Sequence, residues 1–86
     1  MPEISRFLGI VITMHYDDHA PPHFHVRYSE RKATLSIRPI ELLSGRLPPR
    51  VLGLVTEWAA QHSVELEANW ARARRQAKLR RIAPLE

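Results

Sequence analysis

The sequence predicts an α+β protein, with an antiparallel sheet of three or four strands (β-β-β) packed on a C-terminal long or broken helix. Two observations predict this. Apolar residues alternate with a period of two up to about residue 43, as strand side chains do. From Val51 the spacing becomes helical, through Leu54, Val55, Trp58, His62, Leu66 and Trp70, and no proline interrupts residues 50–76.

In the first run, residues 7–16, Leu8, Ile10, Ile12, Met14 and Tyr16 share one face and Phe7, Gly9, Val11, Thr13 and His15 the other. Its β-branched content favours a strand. The loop Asp17–Pro22 leads to a second strand, about His23–Tyr28, and the polar Ser29-Glu30-Arg31 to a third, about Lys32–Arg38. Pro39 ends that strand because it has no N–H for a ladder. Ile40–Leu43 is a candidate fourth, edge strand before a Ser44-Gly45 turn. Leu47-Pro48-Pro49 reads as a helix start, where proline is tolerated. One helix over 50–76 would exceed the usual globular length, so a break at His62-Ser63, with Ser63 as N-cap, stands beside it. The expected layout is a single domain over 1–86, with sheet at about 5–43, helix at about 48–77 and a basic tail at 78–86.

A chain of 86 residues with 44% hydrophobic content has enough for one core and too much for disorder. It has no cysteine, which excludes a disulfide framework and a thiolate zinc site. Small size without such staples, together with exposed edge strands, favours a homodimer. Met1-Pro2-Glu3 is not a secretory start, and the apolar run Phe7–Ile12 is too short to span a bilayer. The expectation is a soluble cytoplasmic protein with no membrane partner. The net charge of +4 owes much to Arg72, Arg74, Arg75, Lys78, Arg80 and Arg81, with no acid among residues 72–81. Such cations suit a helix C-terminus, and they are also candidates for contact with RNA phosphates or an acidic protein partner.

Strand parity has a consequence for function. The helix is expected to cover the face with Leu8, Ile10, Ile12, Phe24, Val26, Tyr28, Leu35 and Ile37. The open face would then carry Thr13, His15, His23, His25, Arg27, Thr34, Ser36 and Arg38, and an antiparallel sheet can leave such a face in water. Three of the five histidines fall in Asp18-His19-Ala20-Pro21-Pro22-His23-Phe24-His25, where the two prolines stiffen the approach to the strand.

Three readings of this stretch stay open. Histidines at i and i+2 on a strand point the same way, so His23 and His25, with His19 or Asp18, are candidate ligands for a divalent metal such as zinc. The same pair suits metal-free acid–base chemistry, with RNA as substrate and Arg27, Lys32 and Arg38 holding phosphate. His23, His25 and Arg27 are then the candidate catalytic residues. Alternatively the histidines shape the loop by bonding to Asp17, Asp18 or backbone carbonyls, and the protein acts by binding a partner. Trp58 and Trp70 are expected in the core, His62 as a packed histidine, and Arg6 in a salt bridge with Asp17 or Asp18.

The chain resembles an uncharacterised bacterial family, domain of unknown function 4160. The residues that carry the resemblance are Pro2-x-Ile4-Ser5-Arg6-Phe7-x-Gly9-Ile10-x-Ile12 and Asp18-His19-x-Pro21-Pro22-His23-Phe24-His25-Val26, followed by Gly45-x-Leu47-Pro48. Val55-x-Glu57-Trp58-Ala59, Glu65-Leu66-x-x-Asn69-Trp70 and Ile82-x-Pro84-Leu85 extend it over nearly the whole chain. His15 departs from it, since the family more often has an aromatic residue there. The resemblance implies a small cytoplasmic protein, encoded beside a small protein partner and suggested as a toxin–antitoxin component. It implies no reaction and no cofactor.

Overall fold

The structure, a computed structural model, describes residues 2–86. Five strands form one antiparallel sheet in sequence order: β1 (Glu3–Phe7), β2 (Ile10–Thr13), β3 (His23–Tyr28), β4 (Arg31–Ser36) and β5 (Leu42–Gly45). Two helices follow, α1 (Pro49–Gln61) and α2 (Ser63–Arg74). The fold is α+β, with five strands rather than three or four.

The additional strand arises inside the first apolar run. Leu8 and Gly9 both adopt positive φ, 51° and 78°, and make a two-residue hairpin turn whose twist matches the flanking strands. The turn resets strand parity. Phe7 therefore packs in the core and Leu8 is 68% exposed, the reverse of the expected assignment. From Ile10 onward the alternation holds, and Ile10, Ile12 and Met14 are fully buried. A second two-residue connection, Ser29–Glu30, joins β3 to β4 with Ser29 at φ 55°. The edge strand starts two residues later than expected, and Ser44-Gly45 belongs to it rather than to a turn. Gly45 sits at φ 81°, and a Cβ there would lie 2.1 Å from the Lys32 carbonyl oxygen, so only glycine lets β5 approach β4 this closely.

The helical region is broken where His62 leaves helical geometry at φ −123°. His62, not Ser63, occupies the N-cap position of α2, and its side chain makes no cap bond. Its Nδ1 lies 2.5 Å from Glu65 Oε1, and its ring packs 5.6 Å from that of Trp58. Pro48 and Pro49 start α1 as expected. Trp58 is fully buried and touches both Phe7 and Phe24, with ring centroids 5.6 and 5.9 Å apart. Burial of such a ring contributes a few kcal/mol, about 3–5 by the cost of truncating it.

Residues 77–86 form neither helix nor strand, yet they are held against the domain. Asn69 brackets Arg80: its Nδ2 donates to the Arg80 carbonyl at 2.7 Å, and the Arg80 N–H donates to Oδ1 at 2.9 Å. Trp58 Nε1 donates to the Ala83 carbonyl at 2.8 Å. Ile82 is buried, and its N–H donates to the Ile4 carbonyl at 2.7 Å. Among the described residues, no helix is long and apolar enough to cross a membrane.

Candidate functional site: a carboxylate ringed by histidines

The site forms where β2 ends, where β3 begins, and in the loop between them. Pairing of Thr13 with His25 fixes the two strands in register, so the residues just past Thr13 run alongside the start of β3. Asp17 then takes positive φ, 59°, a conformation that aspartate tolerates better than most side chains, and Asp18 turns back over the strand ends. The Asp17 carboxylate Oδ1 accepts a hydrogen bond from Gln76 Nε2, which ties the loop to the end of α2.

Asp18 Oδ2 is the centre. His23 Nε2 lies 2.8 Å from it, His25 Nε2 3.1 Å and His15 Nδ1 3.9 Å. Asp18 Oδ1 accepts from the His19 backbone N–H at 3.0 Å and lies 3.2 Å from His19 Nδ1. Burial pushes the Asp18 carboxyl up, but hydrogen bonds from His25 and His23 and from the His19 backbone outweigh it and hold the group at about 2.

The three nearer rings differ in how they are held. His23 is 5% exposed and packs 5.1 Å from the Trp70 ring. Its Nδ1 donates to the Pro21 carbonyl at 2.6 Å. Both of its nitrogens face oxygen acceptors, so both contacts are satisfied together only when the ring carries two protons. His25 is satisfied as a neutral ring, with Nε2–H donating to Asp18 and Nδ1 accepting from the Thr34 hydroxyl at 3.4 Å. His15 stacks on His25 with centroids 3.8 Å apart and planes 8° apart. Burial, then the neighbouring His25, lowers the pKa of His15, while Asp18 pulls it the other way. His15 Nε2 is buried with no hydrogen-bond partner among the described residues.

One donor atom each from His15, Asp18 and His25 lies within 4.8 Å of the other two. Adjacent donors around an ion bound at about 2.1 Å are about 3.0–3.4 Å apart at octahedral to tetrahedral angles. The His25–Asp18 separation of 3.1 Å already matches that spacing, and His15 Nδ1 at 3.9 Å needs a shift of under about 1 Å. Two imidazoles and one carboxylate are donor types that zinc and similar divalent ions accept.

A family model described as Domain of unknown function (DUF4160) matches residues 9–71, which include Asp18 and the four histidines around it. The chain belongs to this family. No curated protein and no solved structure matches it.

This DUF4160 chain brings together some of the residues expected from sequence and separates others. Asp18, His23 and His25 converge. His19 does not join them: its side chain is 91% exposed and touches the far carboxylate oxygen of Asp18. His15 joins instead, because the β2–β3 register carries it onto His25. His23 was expected on the open face beside His25, but the folded-back loop and Trp70 bury it. Ser36, also expected there, is buried, and its hydroxyl donates to the Pro39 carbonyl. Arg38 leaves the sheet and pairs with Glu67 on α2, so it is not available for phosphate beside the histidines. Arg6 pairs with Glu3, not with Asp17 or Asp18. Thr13, His15, His25, Arg27 and Thr34 do line one cavity on the open face. The basic stretch is spread over several partners: Arg72 bonds to Asn69, Arg81 to Glu3, and Arg74 lines a surface pocket with residues 17–20.

Proposed function

We propose that this protein binds a divalent cation of the zinc class through His15, Asp18 and His25, in a centre of the open, hydrolytic kind. The observation that carries this reading is the convergence of their three donor atoms within 4.8 Å. Two further features support it. His23, anchored through Nδ1 to the Pro21 carbonyl, donates from Nε2 to Asp18 Oδ2, a hydrogen bond of the sort that orients a ligating carboxylate. His15 Nε2 is buried without a partner, so this ring is not held in place by hydrogen bonding. Three protein ligands leave one position for water, which distinguishes a catalytic zinc centre from a structural one, where four protein ligands close the sphere. The role of the chain's own residues is then to present the cation. Asp18 would offset part of its charge, the stacked His15 and His25 would supply the two imidazole ligands, and His23 holds the Asp18 carboxylate from the buried side.

Calorimetric titration of zinc into metal-stripped protein tests this. The expected result is one saturable site per chain at micromolar concentration or tighter, with shifts of the His15 and His25 ring signals by NMR. Asp18→Asn and His25→Gln should each abolish saturation in that range while the circular dichroism spectrum stays folded. Weak, non-saturating heats in the unaltered protein, or binding indifferent to both substitutions, would overturn the reading.

A further inference from the structure

We propose that the open face of the sheet binds a phosphate-bearing ligand of nucleotide size, in a cavity of about 530 Å3 that adjoins the histidines. The inference stands on the residues of the sheet itself and does not require the metal. Such a volume is that of a small-ligand site, commonly about 300–1,000 Å3.

The strand register arranges the cavity floor as two parallel rows. In one row, Arg6 on β1 pairs with Val11 on β2, Val11 with Arg27 on β3, and Arg27 with Lys32 on β4. In the next row, Thr13 on β2 pairs with His25, His25 with Thr34, and Thr34 with Ser44 on β5. All of these residues line the same cavity. One row is cationic and the other bears hydroxyls and an imidazole. Two residues along a strand separate them, a spacing of roughly 7 Å.

The pairing of Arg27 directly with Lys32 is the telling feature. Like charges at directly opposed positions destabilise a sheet. Arg27 and Lys32 are both exposed, and neither has an ion-pair partner among the described residues. The single carboxylate of the lining, Glu3, is already engaged by Arg6 and Arg81. An anion between Arg27 and Lys32 would convert this repulsion into two charge-assisted hydrogen bonds. A phosphate dianion suits the position best, since it offers three acceptor oxygens to a guanidinium fork and an ammonium at once. The hydroxyl row then lies where the sugar of a nucleotide would reach, with His25 facing the ester.

A mononucleotide presents this phosphomonoester, whereas the diester backbone of a single-stranded RNA presents one negative charge and two acceptor oxygens per phosphate, and separate arms of one experiment distinguish them. Metal-stripped full-length protein is titrated with adenosine 5′-monophosphate in one arm and with a short oligouridylate lacking terminal phosphates in the other, followed by backbone amide NMR at low salt. Saturable shifts on β3 and β4 around Arg27, Lys32 and Thr34 are expected in at least one arm. Saturation by the mononucleotide alone identifies a small-molecule site; saturation by the oligomer identifies a strand-binding site. Arg27→Gln and Lys32→Gln should each weaken binding at least tenfold, leave zinc binding unchanged, and raise the melting temperature of the ligand-free protein by removing the opposed charges. No saturation of either ligand at millimolar concentration, or binding that survives both substitutions, would sink the proposal. Because the ligand titrations are run on metal-stripped protein, their outcome is independent of the zinc titration.

Discussion

Two stretches of this chain concentrate chemically active side chains, residues 15–25 and residues 72–81, and the fold treats them in opposite ways. Around Asp18, a strand end, a loop and the next strand aim imidazoles at one carboxylate oxygen. Around α2 and the tail, the cations disperse: Arg72 goes to Asn69, Arg81 to Glu3, and Arg74 to a surface pocket shared with residues 17–20. What matters most in the second stretch is backbone, through the Asn69 bracket on Arg80 and the buried Ile82. Density of charged residues along a sequence therefore does not make a site. Convergence does, and it depends on segments that pairing brings together.

The contrast can be broken from the tail side first. Ile82→Ala should lower unfolding free energy by about 2–5 kcal/mol in a denaturant titration, as other buried aliphatic truncations do. A loss below about 1 kcal/mol would show that the tail is a passive appendage. On the other side, Asp18→Asn should reduce zinc affinity at least a hundredfold, equivalent to about 3 kcal/mol, by calorimetry. The zinc affinity of Ile82→Ala, measured where it remains folded, should stay within a few-fold of that of the unaltered protein, which separates the two regions.

Acid titration sharpens the comparison further. The Asp18 carboxyl is held at about 2 in the folded protein against an ordinary 3.8, so its contribution to stability is fully present above about pH 4. It is lost as pH falls from there through about 2. Glu3, lowered to about 2 by hydrogen bonds from Arg6 and Arg81, acts in an overlapping window. In a Glu3→Gln background, stability should still fall between pH 4 and 2, and adding Asp18→Asn should flatten that slope. The smallest expected effect belongs to Arg75 and Lys78, which are exposed and lack ion-pair partners among the described residues. Changing both to Gln should alter unfolding free energy by no more than about 0.5 kcal/mol.

Much of the fold was legible because burial imposes a period on the sequence. The alternation of Phe24, Val26, Leu35 and Ile37 and the helical spacing of Val55, Trp58, Leu66 and Trp70 both end in the core. The first hairpin was not legible, because one of its two positive-φ residues is Leu8, which carries no turn signal. Gly9 was the available hint. At the site, Asp18, His23 and His25 could be singled out by composition, whereas the part played by His15 depends on the pairing of Thr13 with His25. Parity alone placed His15 on the open face, and the β2–β3 register was the missing step. Arg38 misled for a related reason: it continues the alternation of β4 on paper, but the chain leaves the sheet after Ser36 and carries it to Glu67.

The contact between the tail and β1 also bears on how copies of this chain can meet. A sheet with two bare edges can add strands at both and run on into a fibre. Here Ile82 and Arg81 occupy backbone acceptors of Ile4 and Glu3 along one margin, while β5 at the opposite margin is exposed along its whole length. Edge-to-edge association then has one available strand per chain. Two copies joined through β5 would consume both, and growth would stop at the pair.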